Sequence, residues 1–281
     1  MITGLRFKED MVPGAPGTEV RMVSTLPEAL EGAVRCGGWT LARRGALLQT
    51  VPGVARFRVT DGVLIEVAPE EGSDPMAVEQ FLNGSVSAAV VHQRGGLPLH
   101  AACLAPPDGG RAIAIAGHSG AGKSTLAADL LRRGWSLLSD DVTPIYAENG
   151  QIIAWPGRAV LKLWRDACER LSIDPGSLRA LPGERDKYFL PVVTHAEPVQ
   201  LGDIFLLERS APKGIFPIDG PERLTALTEN TFKPNYLTAM ECVESHFRVS
   251  AQIATKVGIS RLCSDGPVEQ RSQLLLDRFQ A

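Results

Sequence analysis

Arg111-Ala-Ile-Ala-Ile-Ala-Gly117-His118-Ser119-Gly120-Ala121-Gly122-Lys123-Ser124-Thr125-Leu126-Ala-Ala-Asp-Leu-Leu-Arg-Arg133 is the stretch from which the rest of the chain can be read. Gly117, four residues, then Gly122-Lys123-Ser124 fits the phosphate-binding loop, or P-loop. Arg111 to Ala116 is a short apolar run suited to a buried strand. Ser124 to Arg133 has helical apolar spacing, basic residues in its last turn and Gly134 as a stop. Strand, glycine loop and helix follow in the order that anion binding requires. Glycines let backbone N–H groups approach an anion, and the helix start adds partial positive charge. In such a loop Gly117 to Thr125 surround the phosphates, Lys123 reaches the β- and γ-phosphates of ATP, and Ser124 ligates Mg²⁺.

Bulk properties narrow the classes. The 281 residues suffice for one large domain or two modest ones. Hydrophobic content of 44% and charged content of 22% suit a soluble globular protein. The formal net charge is −3 and the basic residues are scattered, so neither nucleic acid nor an anionic membrane is indicated. Cys36, Cys103, Cys168, Cys242 and Cys263 are widely spaced without a C-x-x-C pair, which points to neither a zinc site nor a disulfide framework. With no signal-peptide core at the start and no apolar run of membrane length, a cytoplasmic protein is expected.

Outward from the loop, residues 1–75 read as a small β-rich N-terminal lobe. Glycine and proline recur there, and β-prone runs cover Ala46 to Val51, Ala55 to Val59 and Val63 to Val67, with Asp61-Gly62 as a hairpin signal. Residues 76–281 read as the P-loop domain, with a core at 97–210 and a helical part at 222–281. Pro75 to Gln93 predicts a helix interrupted at Gly84. Leu97 to Leu104 predicts one strand. Trp135 to Leu138 predicts a strand ending in Asp140-Asp141, and Val142 to Ala147 with Gln151 to Ala154 a hairpin. Leu161 to Leu171 predicts a helix, Ile173 to Pro191 a surface loop, and Asp203 to Leu207 and Ile215 to Ile218 strands. Glu222 to Glu229, Tyr236 to about Lys256 and Val268 to Phe279 predict helices.

Asp140 and Asp141 are the candidate acidic residues. A strand-loop-helix-strand unit brings them beside the P-loop. Adjacent carboxylates on an extended chain point to opposite sides, so one would face a metal and the other an acceptor hydroxyl. The alternative is a solvated Asp-Asp turn.

The glycine loop, then Arg133-Gly134, then Leu137-Leu138-Ser139-Asp140-Asp141-Val142, preceded by Leu97-Pro98-Leu99-His100-Ala101, resembles the C-terminal domain of HPr kinase/phosphorylase. The resemblance covers about residues 97–145. It implies an α/β fold with a P-loop mixed sheet of the HPr kinase and PEP carboxykinase-like type. It also implies transfer of the ATP γ-phosphoryl group to a serine hydroxyl, with Asp140 as general base, Asp141 on the metal side and His100 near the phosphates. Relatives form oligomers, so a homo-oligomer is implied too. Two positions depart from the family. His118 stands where the family has aspartate. Trp155-Pro156-Gly157-Arg158 and Leu161-Lys162-Leu163-Trp164 replace a Glu-x-Arg-Gly-x-Gly segment that supplies a metal-binding glutamate. The chain is therefore more similar to divergent HPr-kinase-like kinases, some of which phosphorylate a serine near the C-terminus of a lasso precursor peptide.

Further candidates sit on polar stretches. Arg185 and Lys187 would close over the γ-phosphate from a loop, with Arg158 as a weaker case; the alternative is a solvated charge cluster. Trp155 and Trp164 read as core packing, with the lining of a nucleotide or peptide pocket as the alternative, and Met240, Val243, Phe247, Val249 and Ile253 as one buried helix face rather than a ligand groove. The expected activity is an ATP- and Mg²⁺-dependent kinase acting on a serine or threonine of a peptide or small protein. A small-molecule kinase and a nucleotide-dependent switch without transferase activity stand as alternatives.

Overall fold

Alternating apolar residues build a first sheet at the N-terminal side. The structure, a computed structural model, describes residues 17–158, 160–182, 185–192, 194–210 and 212–280. Along Ala55–Thr60 every second side chain is buried, as the pleat requires. Six strands lie in the order Glu19–Met22, Leu64–Pro69, Ala55–Thr60, Ala46–Val51, Thr40–Arg43 and Val34–Arg35, with only the first pair parallel. Asp61 and Gly62 both take positive φ, as the hairpin turn needs. The buried face carries Phe57, Val59, Ile65 and Val67. It is covered by Val78, Leu82, Val86 and Val90 and, from far along the chain, by Tyr236 and Met240.

The cover begins with the helix Pro75–Phe81, capped by Asp74, whose side chain accepts from the Met76 N–H. Gly84 sits in a π-helical turn, Leu82–Val86, before the helix resumes over Ser87–Gln93. The interruption expected at this glycine is thus a widened turn.

A second, mixed sheet holds the strand Ala112–Ala116, which leads into the glycine loop, near its centre. Its path runs Ser136–Ser139, Ala101–Ala105, Ala112–Ala116, Val199–Glu208, Gln151–Ala154, Thr143–Glu148 and Leu97–Leu99. Val199–Glu208 is parallel to Ala112–Ala116 and to Gly258–Cys263, and the latter pairs with Gly214–Pro217. The helix Lys123–Arg132 buries Leu126 and Leu130 against Ile113, Ile115 and Phe205, each leucine contributing about 2 kcal/mol of apolar transfer. The whole is an α/β fold.

Four expectations are corrected. The run from Leu97 to Leu104 is two strands broken at His100, because Leu97–Leu99 pairs with Thr143–Glu148 while Ala101–Ala105 pairs with Ala112–Ala116. The helix expected from Leu161 to Leu171 is confined to Arg165–Arg170. Before it, Val160–Trp164 is a strand with Leu161 and Leu163 buried and Lys162 on the other face, a period of two. The surface loop expected over Ile173 to Pro191 contributes Arg179–Ala180 and Lys187–Pro191 to a three-stranded sheet with Val160–Trp164. The helix expected from Tyr236 to Lys256 is two, Asn235–Ala239 and Val243–Lys256, parted where Glu241 takes positive φ. As a result Val243 and Phe247 are exposed, whereas Val249 and Ile253 are buried.

Candidate active site

The glycine loop at 117–122 leaves a fully buried strand, and its shape follows from three glycines with positive φ. At Gly117 a side chain would press on the backbone of Leu207, its Cβ 3.2 Å from the carbonyl oxygen. Gly120 faces open space, with no atom beyond its chain neighbours within 4 Å of the point where a Cβ would sit. Gly122 precedes the helix in a left-handed conformation. Lys123 folds back over the loop. Its ammonium donates to the Gly117 carbonyl at 2.8 Å and the His118 carbonyl at 3.2 Å, and it meets His100 Nε2 at 3.1 Å.

The carboxylate pair faces this loop. The strand Ser136–Ser139 delivers Asp140 and Asp141, and Asp141 takes φ of 74°, so the chain turns sharply there. Asp140 accepts from the Ser124 hydroxyl at 3.1 Å and from the Lys162 backbone N–H at 2.9 Å. Asp141 pairs with the Lys162 ammonium at 2.8 Å and lies 3.4 Å from His100 Nδ1. The break at His100 between two strands aims its ring at both partners. An ammonium only donates, so Nε2 accepts from Lys123 and Nδ1 carries the proton given to the Asp141 carbonyl at 2.9 Å.

These contacts tune the charges. Burial, reinforced by the charge of Asp141, raises the Asp140 carboxyl to about 6. Burial also pushes Asp141 up, but the charge and hydrogen bond of Lys162, helped by His100 and Lys187, outweigh it and hold that carboxyl below its ordinary value. Burial, then the charge of Lys123, lowers His100 and keeps it neutral. Burial lowers Lys123 as well, against the pull of Asp141 and Asp140.

A cleft of about 320 Å³ opens between these groups, lined by Ser119, Gly120, Gly122 to Thr125, His100, Asp140 and Asp141. Lys187 also lines it, its ammonium 5.1 Å from the centre of the Trp164 ring. Of the residues predicted from the sequence, Gly117, His118, Ala121 and Arg185 lie outside the lining, Arg185 on an exposed turn. His118 is exposed and contributes its backbone. Arg158 is taken up elsewhere. It pairs with Glu79 at 2.7 Å and stacks over Phe189, tying a helix of the first layer to the small sheet. Sequence reasoning missed Lys162, Arg170 and Arg209, and preferred core packing for Trp164, which instead lines the cleft as in the alternative reading. The period of two in Val160–Trp164 was the available signal for Lys162, since it sets that side chain opposite the buried leucines.

The residues fit a magnesium nucleotide. The open space at Gly120 and the turned glycines form an anion cradle, and Ser124 with Asp140 offers two hard oxygen donors. Among the described residues no group of three or more His, Cys, Asp or Glu gathers as a metal site, so further ligands would come from phosphate and water. No helix among them is long and apolar enough to cross a membrane.

No protein-family model matches the sequence, and no curated protein matches it significantly. Among solved structures, an HPr(Ser) kinase/phosphatase from Coxiella burnetii is similar at 13% identity and a TM-score of 0.36, over 64% of this chain and 95% of that one. So loose a likeness brings no activity with it.

Proposed function

We propose that the protein is a phosphotransferase that uses ATP and Mg²⁺ to phosphorylate a hydroxyl, with a serine or threonine of a peptide or small protein as acceptor. The observation that carries this reading is the split of the carboxylate pair: Asp140 rests on the Ser124 hydroxyl while Asp141 turns to Lys162 and His100. A bare nucleotide switch needs the first arrangement and has no use for the second.

Bound Mg²⁺-ATP would supply the phosphoryl group and neutralise its charge. Lys123 and the loop amides hold the phosphates. Asp140 with Ser124 holds the metal, and Asp141 orients the acceptor hydroxyl and receives its proton. This reverses the division of roles expected from the sequence, in which Asp140 was the base and Asp141 the metal ligand. Lys162 stands beside Asp141 and, with Lys187, supplies positive charge where the γ-phosphoryl oxygens would lie. His100 keeps Lys123 and Asp141 in register. The exposed ring of Trp164, at the rim of the cleft, supports a peptide acceptor.

Incubation with γ-labelled ATP, Mg²⁺ and a panel of serine-bearing peptides, small proteins and free small hydroxyl compounds tests this. Label on a peptide, lost in Lys123→Ala, is the expected outcome. Label only on a small hydroxyl compound would replace the peptide acceptor. ATP binding without transfer to any acceptor would favour the switch.

A further inference from the structure

A second cleft of about 370 Å³ adjoins the first. The two share Gly122, Thr125, Arg170 and Arg209, but Lys123, Ser124 and the carboxylate pair border only the first. The remaining wall is Asp265, Gly266, Pro267, Val268 and Arg271, at the start of the helix Val268–Gln280.

Arg271 is the unusual residue here. Its side chain is buried, only 6% exposed, and its Nε is sealed from solvent without a hydrogen-bond partner. One terminal nitrogen donates to the Ser264 carbonyl. The other, Nη1, lies against the P-loop, 3.6 Å from where a Cβ on Gly122 would sit. Among the described residues no carboxylate, Asp265 of the same cleft included, forms an ion pair with Arg271 or Arg209, and the charge of Arg209 bears on Arg271. Arg271 and Arg209 line the cleft together with Asp265, which pairs with neither, so two guanidiniums beside one carboxylate leave positive charge for an anion. A helix start adds to the same field.

The position says which anion. In a P-loop the lysine marks the β- and γ-phosphates, and the path past the last glycine and the residue after the serine leads toward the α-phosphate and the nucleoside. We propose that this second cleft holds the nucleoside end of the nucleotide, with Arg271 and Arg209 on its α-phosphate. The inference rests on the nucleotide-binding part of the proposed function. It makes Arg271 a residue that distinguishes a nucleotide from a bare polyphosphate.

Calorimetric titration with ADP and with inorganic pyrophosphate, both with Mg²⁺, tests it on the full chain. In Arg271→Gln, ADP affinity should fall about tenfold or more while pyrophosphate affinity changes less than about twofold. An equal loss for both ligands would reduce Arg271 to a prop for the loop and overturn the inference, as would no loss for either. Arg209→Ala gives the same contrast at a less buried position should Arg271→Gln fail to fold. If the unaltered protein binds neither ligand, the nucleotide reading itself fails; if it binds both and the variants do not separate them, only the second cleft is misassigned.

Discussion

Asp140 carries a cost in the ligand-free protein. Its folded value of about 6 stands above the 3.8 of a free carboxyl, so its contribution to stability is present below about pH 3.8 and is lost as pH rises through about 6. At neutral pH the buried charge opposes folding until a cation meets it. Asp140→Asn should therefore raise the melting temperature of the ligand-free protein by a few degrees while turnover drops about 10²-fold or more, to be read by calorimetry and by phosphoryl transfer. A lower melting temperature would show that the bonds to Ser124 and the Lys162 N–H outweigh the desolvation. Asp141 is held down by its neighbours, Lys162 foremost among the favourable ones. Lys162→Met should move the acid limb of the kcat/KM profile to higher pH, because the carboxyl then loses the charge that favours ionisation. An unmoved limb would take Asp141 out of the titrating role.

Turns and strand breaks place these groups, and they were unequally legible. The glycine loop, its strand, its helix and the Asp-Asp stretch could be read because glycines at that spacing between a short apolar run and a helical pattern mark a turn from strand to helix. The break at His100 could not be read, since the strands on either side of it, Leu97–Leu99 and Ala101–Ala105, are uniformly buried and nothing in their composition marks a change of pairing partner. Lys162 was hidden for a different reason. Five residues with a period of two were absorbed into a longer helical pattern that continues through Arg165–Arg170. The glycines of the loop separate binding from folding. Gly120→Ala incurs the strain of a left-handed alanine, about 1 kcal/mol, yet meets no atom beyond its chain neighbours, so nucleotide affinity should fall more than stability does. Gly117→Ala should do the reverse, since its methyl would press on the Leu207 backbone. Melting curves and ADP titrations on the two variants check the contrast, which similar losses in both would refute.

Across the whole molecule, buried histidines contribute to the response to acid. His92 is sealed in the interior with Nε2 at 3.0 Å from the Phe232 carbonyl, and burial lowers it to about 4 from 6.5. Its stabilising contribution is full above about pH 6.5 and is lost as pH falls toward 4, up to about 3 kcal/mol. His246, lowered in the same direction by burial, sits beside it with ring centres 6.1 Å apart. Urea unfolding near pH 7 and near pH 5 should show the decline, and His92→Gln should flatten it; a slope of unchanged size would assign the decline to other groups. The β-rich texture of the N-terminal side was legible from its turns, but the lid over its core was not, because apolar residues at 236–242 carry no mark of a partner so distant in sequence. That lid has a consequence for synthesis. The sheet formed by residues 19–69 emerges from the ribosome early, yet Tyr236, Leu237 and Met240, which complete its core, emerge only when most of the chain has been made. The nascent protein must carry an apolar face that residues 75–93 cover only in part through most of its translation, so a chain arrested just before Tyr236 should be more open to protease at that sheet than the finished molecule.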